Sequence, residues 1–170
     1  MDLKSYIREI PDFPKPGIGF KDIMTLLQDK EAFKAAIDDL YEAVQGYDFD
    51  KIVAIESRGF ILGGALAYKM GVGFIPVRKK GKLPSKTITY TYQLEYGEDT
   101  LEMHEDSLSK GERVLILDDL LATGGTVSAA INMVNQLGGS VALVAFLIEL
   151  TFLNGREKIK DYPIKSLIQF

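Results

Sequence analysis

The chain has 170 residues, enough for one domain that buries about 70% of its unfolded surface without covalent staples. Its 20 basic and 24 acidic residues leave a net charge of −4, which excludes the electrostatic footprint of a nucleic-acid or anionic-membrane binder. There is no cysteine, so disulfides, thiolate zinc sites and a thiol nucleophile are excluded and the cytoplasm is favoured, and no apolar run reaches the ~18 residues of a membrane span.

In chain order, Leu3, Tyr6, Ile7 and Ile10 have the spacing of a short amphipathic helix that Pro11 stops. A proline- and glycine-rich stretch follows over residues 14–19. Phe33, Ile37, Leu40, Tyr41 and Val44 predict a helix over residues 31–45, with Gly46 where a C-terminal cap belongs. Residues 52–55 read as a buried strand, 59–70 as a small-residue helix packed close to a sheet, and 74–77 as the next strand. The alternating, tyrosine-rich segment 87–106 predicts two antiparallel strands joined by a turn at residues 96–99. Two more apolar strands are expected at 113–117 and 141–148, with a helix between them marked by Val127, Ala130, Ile131, Val134 and Leu137 and ended by Gly138 and Gly139. Short apolar strands alternating with helices imply an α/β fold with a mostly parallel central sheet flanked by helices. No internal repeat or low-complexity tract interrupts it.

The run VLILDDLLATGGT (residues 114–126) carries the most chemistry. An apolar strand leads to two adjacent carboxylates, Asp118 and Asp119, which can accept hydrogen bonds from hydroxyls. Then Ala122, Gly124 and Gly125 leave backbone N–H groups bare toward an anion, Thr123 and Thr126 add hydroxyl donors, and a helix begins with its positive dipole end at the same point. That pairing of acceptors and donors suits a sugar monoester phosphate. The triphosphatase loop GxxxxGK followed by Ser or Thr is absent, and the dinucleotide pattern GxGxxG fails because Gly17 with Gly19 and Gly71 with Gly73 both lack the third glycine.

VLILDDLLATGGT resembles the phosphoribosyl pyrophosphate (PRPP) signature of the type I phosphoribosyltransferases. FPKPGIGFKDI (13–23), ESRGF (56–60), PVRKKGKLP (76–84) and LEYG (94–97) are similar, in order, to the blocks of the branch of that family that takes adenine. The likeness spans nearly the whole chain. It implies the type I phosphoribosyltransferase fold in a single domain, residues 1–170, with a small hood from about residues 1–30 and a flexible lid hairpin at about 85–106. It also implies a glycosyl (pentosyl) transfer that makes AMP and pyrophosphate from adenine and PRPP in purine salvage.

The resemblance assigns roles residue by residue. Asp118 and Asp119 would take the ribose hydroxyls, and Ala122, Thr123, Gly124, Gly125 and Thr126 the 5′-phosphate, in agreement with the reading from the residues alone. Ser57, Arg58, Arg78, Lys79 and Lys82 would hold the pyrophosphate, with an uncommon cis peptide between Ser57 and Arg58. Glu95 would exchange a proton near N7 of the base, and Tyr96 would close the lid. Ile18, Gly19, Phe20 as a stacking ring and Lys21 would line the adenine pocket, Lys21 standing where many members carry arginine and so offering a point charge in place of a planar fork. Magnesium is implied as a companion of PRPP, held through phosphates and water with no dedicated protein ligands. A homodimer is implied too, part of the cationic group serving the neighbouring subunit. No nucleic-acid or membrane partner is expected.

Plainer readings stand beside these. ESRGF alone reads as a salt-bridged arginine at a helix start, PVRKKGKLP as a solvated basic turn with Lys80 facing water, Glu95 and Tyr96 as hairpin decoration, and Phe20 as a core ring. His104, the only histidine, receives no role, and Glu149 reads as a strand-end cap or ion-pair partner. A relative acting on another purine is the near alternative. A non-catalytic PRPP-sensing regulator of the same fold is the distant one, and it would need a basic DNA-binding segment that the composition lacks.

Overall fold

The structure is a computed structural model and describes residues 1–94 and 96–170. A seven-stranded sheet forms its centre, in the order β5-β6-β4-β3-β7-β8-β9. These strands are β3 (Lys51–Ile55), β4 (Gly73–Lys79), β5 (Thr87–Gln93), β6 (Glu98–His104), β7 (Arg113–Leu121), β8 (Ser140–Glu149) and β9 (Ile164–Gln169). Pairing is parallel from β4 through β3, β7 and β8 to β9, and antiparallel where β6 joins β4 and β5 joins β6. A separate two-stranded antiparallel hairpin is made by β1 (Arg8–Ile10) and β2 (Phe20–Asp22).

Strand alternation sorts the core onto two faces. Leu115 and Leu117 of β7 pack on one side with α2 (Lys30–Val44) and α3 (Arg58–Met70), through Ala36, Leu40, Leu62 and Leu66. Val114 and Ile116 pack on the other with α4 (Gly125–Gln136), through Val127, Ala130, Ile131 and Val134. The Asp29 carboxylate caps α2, accepting from the backbone N–H groups of Glu31 (3.0 Å) and Ala32 (2.9 Å). Asp38 then ties α2 to α3 by accepting from Lys34 within its own helix and from Lys69 at 2.7 Å.

The architecture expected from the sequence holds, and the differences are local. The N-terminal helix expected at Leu3, Tyr6, Ile7 and Ile10 is a 3-10 turn, Leu3–Tyr6, followed by β1. Cross-strand ion pairs decide this: Arg8 sits opposite Asp22 and Glu9 opposite Lys21, and an extended backbone satisfies both. A short helix α1 (Met24–Gln28) and the edge strand β9 had no clear periodicity to announce them. Glu98 and Asp99, expected in the turn, already belong to β6 and pair with Gln93 and Tyr92, and ahead of them the Leu94 N–H donates to the Gly97 carbonyl at 2.9 Å.

Candidate active site

The carboxyl ends of β3, β4 and β7 meet on one edge of the sheet, where open α/β sheets collect ligands. β7 runs four residues past its expected end, to Leu121, because β8 continues beside it and pairs Leu120 with Ile148 and Leu121 with Glu149. Asp118 and Asp119 are therefore held in extended backbone, with both carboxylates reaching the same cleft beside the start of α3. Loss of solvent, reinforced by the neighbouring Asp119 carboxylate, pushes the Asp118 carboxyl well above the usual carboxylate range. Asp119 accepts from Arg58 Nε at 2.5 Å.

Arg58 opens α3, and its helix start sits against β7. A Cβ on Gly59 would lie 3.0 Å from Asp118 Oδ1 and 3.4 Å from Asp118 Cα, so glycine here permits the close approach of helix and strand. Burial opposes the Arg58 charge, but Asp119 and then Asp118 outweigh it and hold the guanidinium protonated. Its guanidinium carbon lies 5.4 Å from the Phe20 ring centroid, so one arginine joins the acidic pair to the β1–β2 hairpin. The non-proline cis peptide falls between Glu56 and Ser57, one bond earlier than expected; the Ser57 carbonyl already accepts from the Phe60 N–H at 3.1 Å, so the Ser57–Arg58 bond is part of the first turn of α3.

After β7 the chain passes through Ala122, Thr123 and Gly124 and enters α4 at Gly125 with no side chain capping the first turn. These residues with Thr126 line a small cavity at the helix N-terminus. Gly124 is in the left-handed region at φ 89°, and a Cβ there would stand 2.7 Å from the Gly155 carbonyl oxygen. The loop is thus backed by the 3-10 helix Gly155–Ile159. That helix is fastened by Arg156, which donates to Glu149 from Nε (2.7 Å) and Nη2 (2.8 Å).

The cationic residues close the third side. Half-buried Glu56 accepts from Lys82 Nζ at 2.8 Å and from the Lys79 backbone N–H, and Arg78 Nε lies 3.5 Å away. Burial opposes ionisation of Glu56, yet these partners, Lys82 first, hold its carboxyl below the usual range. Lys79 pairs with Asp99. Arg78 Nε is buried and has no hydrogen-bond partner among the described residues. A cleft of about 270 Å³ joins Glu56, Arg58, Lys79, Asp118, Asp119, Ala122 and Thr126, bringing together motifs that lie far apart in the sequence.

On the side of the β1–β2 hairpin, Phe20 stands over Arg58 with Phe13 edge-on to it at 5.2 Å, and Ile18 and Gly19 lie in the exposed loop before it. Tyr96, shortly before β6, has its ring 5.5 Å from Lys15 Nζ of that loop. Glu95 lies outside the described residues. Lys21 departs from the rest: its ammonium lies 3.0 Å from Glu9 and 4.3 Å from the Phe170 ring centroid, on the side of β2 away from Phe20.

Three participants escaped the sequence reading. Asp22, bonded to Arg8, adds its charge to the Arg58 environment. Tyr92 places its hydroxyl 3.3 Å from Thr126 Oγ1 and 3.4 Å from Asp99 Oδ2, joining β5 to the start of α4. Asp99 takes Lys79. The alternation of TITYTYQ marked Tyr92 as a strand residue but said nothing of which face met α4. Among the described residues no group of three or more His, Asp or Glu side chains is arranged to hold a metal ion.

A family model described as phosphoribosyl transferase domain matches residues 24–169. The chain is 61% identical over 170 residues to an adenine phosphoribosyltransferase of Brachyspira hyodysenteriae, with all of both chains covered. Among solved structures it superposes on adenine phosphoribosyltransferase of Thermoanaerobacter pseudethanolicus with a TM-score of 0.98, at 56% identity, covering 99% of this chain and 98% of that one. The Saccharomyces cerevisiae enzyme, crystallised with an imino-altritol bisphosphate and adenine, matches with a TM-score of 0.91 at 40% identity, covering 98% and 96%.

Proposed function

Because the chain belongs to the phosphoribosyltransferase family, we propose that it is the purine-salvage enzyme that joins adenine to PRPP, releasing AMP and pyrophosphate. The observation that carries this reading is the single cleft in which paired carboxylates, a bare helix N-terminus and an arginine under an aromatic ring meet.

In the reaction the anomeric carbon loses pyrophosphate through a state with oxocarbenium character, and N9 of adenine takes its place. Asp118 and Asp119 accept the ribose 2′ and 3′ hydroxyls. The N–H groups of Ala122, Thr123, Gly124 and Gly125 and the Thr123 and Thr126 hydroxyls take the 5′-phosphate, aided by the α4 dipole. The leaving diphosphate is received by Arg58, the backbone and hydroxyl of Ser57, and the group Arg78, Lys79 and Lys82, which must exchange their present bonds to Glu56, Asp99 and Asp119 for phosphate oxygens. Adenine stacks on Phe20 between Ile18 and Gly19, with Lys21 contributing through its strand. Glu95 moves the proton near N7 as N9 attacks, and Tyr96 closes over the base and excludes water, which would otherwise capture the ribosyl centre.

A cation would arrive already bound to the diphosphate, with Asp118 and Asp119 as two adjacent acceptors near it; among the described residues they are not part of a group of three or more His, Asp or Glu side chains arranged to hold a metal ion. Magnesium bound with PRPP would neutralise charge on the leaving group. The protein acts as one domain and as a cytoplasmic homodimer. Exposed Ile61, Tyr68 and Phe74 on α3 and β4 support that assembly. No helix among the described residues is long and apolar enough to cross a membrane.

The test offers adenine, hypoxanthine, guanine and xanthine separately with PRPP and Mg²⁺, following nucleotide and pyrophosphate together. AMP from adenine alone is the expected result. Product from an oxopurine would overturn the base specificity, and PRPP binding without turnover would point to a sensor.

A further inference from the structure

The hood hairpin has two faces, and one of them turns away from the cleft. Side chains alternate along β2. Phe20 and Asp22 lie toward Arg58, while Lys21 points to the opposite side, where it meets Glu9, its direct partner across the hairpin, at 3.0 Å. Its ammonium also sits 4.3 Å from the centroid of the Phe170 ring. Lys4 reaches the same ring at 4.3 Å and donates from Nζ to the Gln169 carbonyl at 2.7 Å. The Lys21 side chain is only 11% exposed, and a cation over an aromatic face is worth most when it is shielded from water.

Phe170 is itself a fixed post. Its N–H donates to the Glu149 carbonyl at 3.0 Å, and its own carbonyl accepts from the Thr151 N–H (3.0 Å) and hydroxyl (2.8 Å). The ring is thereby tied to the end of β8, on the rigid central sheet. By contrast, residues 11–19 ahead of Phe20 are all exposed. The Glu9 carboxylate that pairs with Lys21 would stand 2.7 Å from a Cβ on Gly19, so the ion pair also lies close over the loop.

We infer that Phe170 is a positioning residue for the base loop: its ring, anchored on the sheet, holds Lys21 and Lys4 and so sets where Phe20 stands over Arg58. The inference rests on the reading of Phe20 as the base-stacking ring. Lys21 then serves adenine by fixing the strand and not by touching the base. A part played in overall packing alone would lower stability and affect both substrates alike, whereas a positioning role separates them.

The test compares Phe170→Ala, Phe170→Leu and Phe170→Tyr with the wild type, using Mg²⁺-PRPP and adenine in steady-state assays. The Ala and Leu variants should raise the adenine KM about tenfold, while the PRPP KM and kcat stay within about twofold. Phe170→Tyr keeps the ring and should restore the adenine KM to within about twofold. Phe170→Leu keeps apolar volume without a π face, so it carries the test if the Ala variant does not fold. A wild-type adenine KM in the Leu variant would overturn the inference, as would an equal rise in both KM values. Absence of AMP formation by the wild type would remove the base-stacking reading and this inference together. AMP formation with an unchanged KM in the Ala and Leu variants would remove this inference alone.

Discussion

Arg58 Nε lies 2.5 Å from Asp119 Oδ2, which links the first residue of α3 to the carboxyl end of β7. The Asp119 side chain is 8% exposed against 38% for Arg58, so the buried partner depends on the accessible one. In the proposed reaction each serves a different part of PRPP, and the pair sets the spacing between ribose and diphosphate. Asp119→Asn keeps the shape but removes the charge that orients the guanidinium. A charge-assisted hydrogen bond of about 1.5–3 kcal/mol corresponds to a loss of roughly 10- to 150-fold in kcat/KM for PRPP. Initial rates at varied PRPP check this, and a change below threefold would separate the pair from the reaction.

Gly124 joins two demands, a left-handed φ of 89° and a Cβ position only 2.7 Å from the Gly155 carbonyl. Backbone cannot retreat as the tip of a flexible side chain can. Gly124→Ala should cost about 2 kcal/mol, or about 4–8 °C in Tm at this chain length. It should also weaken PRPP binding by moving the loop N–H groups. Thermal unfolding with and without PRPP checks both, and full retention of the ligand-induced Tm shift would show that the loop tolerates the displacement.

The Glu149–Arg156 pair behind that loop makes stability depend on pH. The two hydrogen bonds from Arg156 hold the Glu149 carboxyl below the usual glutamate value, against a smaller opposing effect of burial. A depressed folded value means the contribution is complete above the unfolded pKa of about 4.3 and is lost as pH falls through the folded one. Arg156→Gln removes the cation and leaves Glu149 buried. Because Arg156 is 43% exposed, the neutral-pH cost is discounted to about 1–3 kcal/mol. The Tm gap between wild type and variant should be widest at pH 7 and close below about pH 4. A gap independent of pH would assign the loss to packing and not to charge.

Much of this site was legible in the chain because the acidic pair and the phosphate loop are contiguous. VLILDDLLATGGT holds strand, acceptors and helix start in consecutive residues, so local chemistry sufficed. β3, α3 and β7 were equally plain from apolar runs and helical spacing. What stayed hidden depends on pairing between distant segments. Arg8 and Glu9 belong to a strand only because Asp22 and Lys21 lie across from them, and residues 3–10 taken alone have helical spacing. β9 is a short edge strand that needs the last half of β8 as its template. Lys21 looked like a pocket residue beside Phe20, but adjacent strand positions face opposite ways, and only the fold brings Phe170 to its other side.

Tyr92 connects β5 to the start of α4 and, in the proposed reaction, gives a prediction specific to the donor. Its hydroxyl lies 3.3 Å from Thr126 Oγ1 and 3.4 Å from Asp99 Oδ2, and Asp99 in turn pairs with Lys79 of the cationic group. The ring lies along Gly125, 3.5 Å from where a Cβ would stand, an ordinary packing contact. Tyr92→Phe keeps that packing and deletes only the hydroxyl, releasing Thr126 and Asp99 at once. A neutral hydrogen bond of about 0.5–1.5 kcal/mol corresponds to a rise of roughly 2- to 12-fold in the PRPP KM. The adenine KM should stay unchanged, because the contact lies at the phosphate end of the cleft and not beneath Phe20. Steady-state kinetics with each substrate varied in turn decides it. An increase confined to adenine would mean that the Tyr92 hydroxyl acts through the lid tip instead of through Thr126.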